Sequence, residues 1–114
     1  PAAQGPPRQG FYPAGRPDLL EAFVRDAHKP SGSPEDGHRA VAAYRMEDSI
    51  HRVRQPVLIL RATDDPFASP HAAELQHALP QARTLDIRGG MVRLPDQMPE
   101  AFAAAVLDFL ETLP

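Results

Sequence analysis

Apolar residues recur at helical spacing after a lead-in, residues 1–17. This lead-in is rich in proline and glycine, which predicts a flexible segment. Asp18 precedes Glu21 by three residues, which has the form of a capping box, so we predict that a helix opens at Asp18. The apolar positions that follow are Leu19, Leu20, Phe23, Val24 and Ala27. Proline cannot continue a helix, so the segment Lys29–Gly32, which contains Pro30, ends it.

A second helix is predicted from Ser33 and Pro34. Serine is a preferred cap, and proline fits the first helical position. Two acidic residues follow, where the positive end of the helix dipole favours them. Its apolar side carries Ala40, Val41 and Tyr44, and we expect the helix to end near Asp48.

The run Val57–Leu60 is continuous, aliphatic and preceded by a proline, which indicates a strand covered on both of its faces. A polar turn with Asp64 and Asp65 ends it. Ser69 with the proline after it repeats the cap-plus-proline start and predicts a helix that runs to Pro80.

A shorter strand is predicted over residues 82–88, and Gly89–Gly90 breaks it. We predict a loop over residues 91–98 and a closing helix from Pro99. The apolar stripe of that helix is Phe102, Val106, Phe109, Leu110 and Leu113, which indicates core packing.

The order strand, helix, strand predicts an α/β fold with parallel pairing and a right-handed crossover. Two strands alone do not make a stable sheet that is covered on both faces. We therefore expect this chain to be a piece of a larger α/β domain or to need a partner.

Composition excludes several classes of function. The net charge is −3 with only 12 basic residues spread along the chain, so we expect no nucleic-acid partner. The longest apolar run is too short to span a bilayer, and nothing resembles a signal peptide, so we expect no membrane partner. There is no cysteine, which excludes disulfides and thiolate chemistry and is compatible with a reducing compartment among others; our expectation is a cytoplasmic protein.

Chemistry in open α/β sheets gathers beyond the carboxyl ends of the strands. Those ends carry Asp64 and Asp65 after the first strand, and Gly89–Gly90 and Met91 after the second. The simplest interpretation of the two aspartates is that they form a turn, which aspartate favours after a strand.

The order of these motifs resembles the C-terminal part of the α/β-hydrolase superfamily. The residues that carry the resemblance are Pro56–Leu60, Ala62–Phe67 with Pro70, Leu79–Ala82, Ile87–Gly90, Pro99–Phe102 and Val106–Leu110. They follow the family's series of strand, acid-bearing turn, helix, strand, Gly-Gly-His loop and closing helix. The resemblance implies a partial α/β-hydrolase fold: residues 53–114 are the C-terminal segment of that fold, and residues 18–52 are a cap-like helical segment.

The resemblance implies two site positions. Asp65 corresponds to the triad acid, which orients the histidine and stabilises its charged form. Met91 stands where the family has that histidine, and a thioether cannot act as a general base. The nucleophile elbow Gly-x-Ser-x-Gly is absent from this chain and belongs, with the oxyanion hole, to the N-terminal half of the family fold.

The remaining histidines and arginines offer few alternatives for the same chemistry. His71 is the nearest histidine to the acid turn, and a surface histidine at the start of a helix is the simpler interpretation. His71 and His77 are six residues apart and do not share a helix face, so we expect no metal site, and no motif calls for a cofactor. Three arginines, Arg83, Arg88 and Arg93, form either an anion patch or solvated positions.

Three hypotheses about function remain. The chain is part of a hydrolase of small esters, amides or lactones whose N-terminal half is missing here. Alternatively it is a non-catalytic relative that binds a small molecule or a protein partner, which Met91 favours. The third is an independent α/β interaction module with only architectural similarity. In each case we expect the chain alone to be inactive as a hydrolase.

Overall fold

The computed structural model describes residues 12–27 and 34–114. In this part of the chain there are two strands, five α-helices and three short 3₁₀ turns. The strands are β1 (Leu58–Ala62) and β2 (Arg83–Ile87), and the helices are α1 (Pro17–Ala27), α2 (Pro34–Ala43), α3 (Ala72–Ala78), α4 (Leu94–Gln97) and α5 (Pro99–Glu111). The 3₁₀ turns are Met46–Asp48, Ile50–Arg52 and Ser69–His71.

The two strands pair in parallel, as the order of elements predicts. The register joins Leu58 to Arg83 at one end and Ala62 to Ile87 at the other. The protein is therefore a mixed α/β fold with two parallel strands and several helices.

Both faces of this sheet are covered by helices, one by α3 and the other by α4 and α5, as the continuous apolar run predicts. On one face Ile59 packs with Ala72 of α3 and with Leu79, and Ile50 and Leu75 contact this cluster.

On the other face a cluster joins the sheet to α4 and α5. Its members are Ile87, Leu94, Ala105 and Phe102, together with Leu60 and Ala62. Alternating side chains along a strand point to opposite faces, which is why consecutive residues of β1 contribute to different clusters.

The start and end of several elements differ from the sequence predictions. Helix α1 begins at Pro17 rather than Asp18, and Asp18 lies in its first turn, where its carboxylate accepts hydrogen bonds from Arg16. Helix α2 ends at Ala43, well before Asp48, and 3₁₀ turns follow. The predicted helix end at residues 29–32 and the cap at Ser33 lie outside the described residues, as does most of the lead-in.

Two predictions in the second half of the chain differ in part from the structure. Residues 91–98 are not all loop, because α4 forms within them; four helical residues are too few to give an apolar period that the sequence could reveal. In α5 the most buried residue is Ala105, which is not in the predicted stripe; Phe102 of that stripe packs against the sheet cluster as predicted, and Leu110 is exposed.

Candidate functional site

The candidate site lies where both strands end, because parallel strands bring their carboxyl ends to the same edge. Three hydrogen bonds join the two loops there. The Thr63 amide donates to the Ile87 carbonyl at 3.2 Å, and the Asp64 amide donates to the Gly90 carbonyl at 2.8 Å. The Gly89 amide donates to Thr63 Oγ1 at 2.9 Å. The acid turn and the glycine loop thus form one connected unit.

Asp65 is the buried member of the aspartate pair, with 9% of its surface exposed, while Asp64 is exposed. Its Oδ1 accepts the amide hydrogens of Phe67 at 2.8 Å and Ala68 at 3.0 Å. This carboxylate therefore stabilises the turn before the 3₁₀ segment, the role that the simplest interpretation gave it. Ser69 makes no side-chain capping bond at this helix start, contrary to the prediction.

The second carboxylate oxygen of Asp65 is not used by the turn. Oδ2 makes no hydrogen bond within the described residues. No fully buried side-chain oxygen or nitrogen in those residues lacks a partner, so Oδ2 is accessible to solvent. One oxygen of the acid is committed to the fold, and the other is free to accept a hydrogen bond.

The two glycines of the loop are required by its geometry. Gly89 has φ of +81°, in the left-handed region that favours glycine. A Cβ on Gly90 would lie 2.8 Å from Leu94 Cδ1 and 3.1 Å from both Ala62 Cβ and the Ile87 carbonyl oxygen. The chain leaves β2 by a turn that no larger residue at position 90 fits without displacing its neighbours.

The side chain of Gln97 stabilises this loop through two hydrogen bonds, a role that the sequence did not predict. Its amide nitrogen donates to the Gly89 carbonyl at 2.8 Å, and its amide oxygen accepts the Met91 amide hydrogen at 2.8 Å. A single side chain thus bonds both sides of Gly90 from the end of α4. The only signal in the sequence is an isolated glutamine in a short polar stretch, which carries no periodicity.

Met91 and Asp65 line the same open groove, which has a volume of about 610 Å³. Most of the lining is apolar, and it includes Met46, Ile59, Leu60, Leu75 and Val92. The structure therefore brings the two predicted site residues to one surface. Half-buried Met91 offers that surface a thioether, which neither gives nor takes a proton at neutral pH.

His71 and Ser69 also line the groove, yet neither forms part of a nucleophile–base pair. Exposed His71 has its Nδ1 3.4 Å from Glu74 Oε1, and no hydrogen bond joins it to Asp65. Among the described serines, Ser49 lies in the 3₁₀ region with its hydroxyl 2.9 Å from Tyr44 Oη. Within the described residues, no serine hydroxyl is hydrogen-bonded to a histidine.

The three arginines do not form one patch. Arg83 lies at the start of β2, with its guanidinium 5.9 Å from the centre of the Phe109 ring. Arg88 follows the opposite end of that strand, and Arg93 forms an ion pair with Asp96. The described residues also contain no cluster of three or more histidine and acidic side chains that would hold a metal ion.

Comparisons of the chain with protein-family models, with curated proteins and with solved structures find no match. Along the described part of the chain, none of the helices combines the length and apolar character that crossing a bilayer requires.

Proposed function

We propose that residues 53–114 are the C-terminal part of an α/β-hydrolase-type fold in which Asp65 holds the position of the triad acid and Met91 that of the histidine. The proposal includes a missing N-terminal half of the fold as partner, a small molecule as ligand and a cytoplasmic location. One observation carries it: the acid and the loop residue expected to be its partner line one groove beyond the carboxyl ends of two parallel strands.

The state of the Asp65 carboxylate supports this role. A triad acid has to be fixed in place and still present an oxygen to its histidine. Oδ1 is fixed by the amides of Phe67 and Ala68, and Oδ2 remains accessible. A residue that only stabilised the turn would need the hydrogen bonds to Oδ1 but not an accessible Oδ2.

Met91 determines what the groove can do. Without a base at that position, a serine supplied by the missing half could not be deprotonated through this loop. The groove then binds an apolar ligand and leaves it unreacted, unless another histidine of the whole protein replaces the missing one. We therefore keep two forms of the proposal, a hydrolase of small esters, amides or lactones and a non-catalytic relative that binds a ligand or a partner. Met91 favours the second.

The test is to replace Met91 by histidine, which places an imidazole at the proposed position of the triad histidine. In Met91→His we expect the pKa of the introduced imidazole to lie about one pH unit above its ordinary value of about 6.5, because an aspartate that accepts its N–H stabilises the charged form. The measurement is an NMR titration of the imidazole ring in the full chain.

Two further variants make the test specific. Adding Asp65→Asn should return the imidazole pKa to its ordinary range, whereas adding Asp64→Asn removes an exposed neighbour and should leave the raised value in place. Equal imidazole pKa values in all three proteins would contradict the assignment of Asp65. In parallel, the unmodified chain should show no saturable turnover of p-nitrophenyl acetate, and a serine-reagent-sensitive rate would overturn the proposal.

A further inference from the structure

The groove that Asp65 and Met91 line contains one buried charged group. Asp65 has 9% of its surface exposed. Its Oδ1 accepts the amide hydrogens of Phe67 and Ala68, while its Oδ2 makes no hydrogen bond within the described residues. A carboxylate only accepts hydrogen bonds, so a ligand that pairs with this oxygen must bring an N–H or O–H donor.

The arginine of the lining, Arg61, already has partners elsewhere. Its Nη1 donates to Asp86 Oδ2 at 3.0 Å, and its Nε donates to the Ser69 carbonyl at 3.4 Å. In the described part of the chain, no hydrogen bond or ion pair joins Arg61 to Asp65, and no lysine lines the groove. The negative charge of Asp65 therefore has no cationic side chain paired with it there.

Two further acids of the lining, Glu47 and Glu74, have the same sign of charge. Glu47 Oε1 lies 3.4 Å from Arg45 Nη2, and Glu74 Oε1 lies 3.4 Å from His71 Nδ1. Their side chains are 63% and 78% exposed, so solvent screens their charges and Asp65 has the larger effect on a bound ligand. The two glutamates add to the negative potential of the groove and do not offset it.

The apolar part of the lining determines what the rest of a ligand must be. Ile59 and Leu60 come from β1, Leu75 from α3 and Leu94 from α4. Met91 adds an unbranched, flexible side chain that adapts to ligands of different outline. The groove volume of about 610 Å³ is in the range of small-molecule sites, in which apolar surface supplies most of the affinity and a few polar groups fix the orientation.

We propose that this groove binds a small hydrophobic cation, an amine in its ammonium form whose N–H donates to the Asp65 carboxylate while its hydrocarbon part contacts the apolar lining. The proposal rests on the ligand-binding form of the proposed function and names the chemical class of that ligand. Met91 brings no proton donor to the acid, so the ammonium takes the place that a triad histidine would have beside Asp65. An anion is repelled by this carboxylate, and a neutral alcohol forms only the weaker hydrogen bond of an uncharged donor.

The first experiment compares three probes that share one hydrocarbon chain: n-octylammonium, 1-octanol and octanoate. Each is titrated into the isotope-labelled full chain at neutral pH, below the concentration at which it forms micelles, and backbone amide shifts give the dissociation constant. n-Octylammonium should bind at least about tenfold more tightly than 1-octanol, because a hydrogen bond between two charged groups is the stronger one. Octanoate should bind most weakly. Equal affinities for the three probes, or a preference for octanoate, would overturn the proposal.

A pair of variants assigns the preference to one carboxylate. Asp65→Asn keeps an oxygen that can accept the turn amides but removes the charge, and should lower the affinity for n-octylammonium to about that for 1-octanol. Asp64→Asn removes an exposed charge that does not line the groove and should leave both affinities nearly unaltered. Ammonium binding that survives Asp65→Asn, or that both variants weaken equally, would contradict the proposal. Circular dichroism establishes whether each variant folds, and the probe series on the unmodified chain needs neither of them.

The ligand class and the triad assignment fail in different ways. A raised imidazole pKa in Met91→His, with equal binding of the three probes to the unmodified chain, would support the triad position of Asp65 and overturn the ligand class. Selective ammonium binding that depends on Asp65, with an ordinary imidazole pKa, would support the ligand class and contradict the triad assignment. Where both hold, Met91→His should also weaken n-octylammonium binding, because the imidazole then donates to the same carboxylate.

Discussion

Helices α2 and α5 begin with the same two residues, proline and glutamate, and yet they differ in what supports them. Helix α5 packs Ala105 and Phe102 against the sheet. In α2 every described side chain is exposed, including Val41 at 75%. A good start signal therefore produces a helix in both places, but only α5 gains stability from tertiary packing, which is the larger source for most helices.

The same contrast separates the two halves of the chain. The buried aliphatic residues from Ile59 onward belong to two clusters that cover the sheet. Upstream, α1 buries Leu19, and the Arg16 guanidinium donates to the Gln97 carbonyl at 3.4 Å. We infer that the sheet with α3 and α5 is the stable unit, and that α2 contributes little to the free energy of unfolding.

The strongest test of this contrast truncates one aliphatic residue on each side of it. Leu94→Ala should lower the free energy of unfolding by about 2–5 kcal/mol, because Leu94 is 6% exposed and its removal leaves a cavity. Val41→Ala should change it by less than about 0.5 kcal/mol. Urea denaturation at one fixed protein concentration measures both. Similar losses for the two variants would show that α2 is packed in solution.

Where Leu94→Ala leaves too little folded protein to measure, Leu94→Met serves instead. That change keeps the volume of the side chain and should cost less than about 1.5 kcal/mol.

A second test exchanges glycine for alanine in both regions and expects a loss of global stability in one and a local gain of helix in the other. At Gly90 the new Cβ would meet Leu94 Cδ1, Ala62 Cβ and the Ile87 carbonyl, so we expect a loss of about 1–3 kcal/mol in the free energy of unfolding. At Gly37 the Cβ meets nothing within 4 Å, and alanine should favour the helix by up to about 1 kcal/mol.

The gain in Gly37→Ala should be local. It should increase the helical chemical shifts of α2 and leave the midpoint of global unfolding unchanged. A midpoint that rises together with those shifts would mean that α2 unfolds cooperatively with the sheet.

The smallest effect concerns the start of α1. The Arg16 guanidinium donates hydrogen bonds to both Asp18 carboxylate oxygens at 3.0 Å, and with its positive charge it lowers the pKa of Asp18. A lowered folded-state pKa stabilises the folded chain above the unfolded pKa, and that stabilisation is lost as the pH falls through the folded pKa. Because both groups are exposed, the pKa itself is the useful readout.

Arg16→Gln should therefore raise the Asp18 pKa toward its ordinary value in a carboxyl NMR titration. Arg25→Gln, near the other end of α1, should leave the Asp18 pKa where it is. An Asp18 pKa that does not respond to Arg16→Gln would show that the pair does not form in solution.

The sequence predicted the parts of the fold that depend on composition and period. The aliphatic run from Val57 indicates β1, the order of elements predicts parallel pairing, and prolines mark the starts of α2 and α5. It could not predict α4, which is too short to have a period, or the choice of Ala105 as the buried residue of α5. The burial of Ala105 depends on how closely α5 approaches strands that are far from it in the chain.

The candidate site divides in the same way. Asp65 and the glycine loop follow from their positions after two strands, and the structure has Asp65 and Met91 on one groove. Thr63 and Gln97 could not be predicted, because a hydrogen bond from a side chain to a distant backbone leaves no trace in residue spacing. Nor does the sequence show that Asp65 commits Oδ1 to the turn and leaves Oδ2 without a hydrogen bond in the described residues.

The hydrogen bonds of Gln97 make the conformation of this loop independent of which side chain stands at position 91. Backbone hydrogen bonds on either side of Gly90 fix the path of the chain, and they use only the amide of Met91 and the carbonyl of Gly89. The side chain at position 91 plays no part in those bonds. A substitution can therefore exchange that side chain while the loop keeps its conformation. A residue that transfers protons and one that does not can each stand at position 91 on the same backbone.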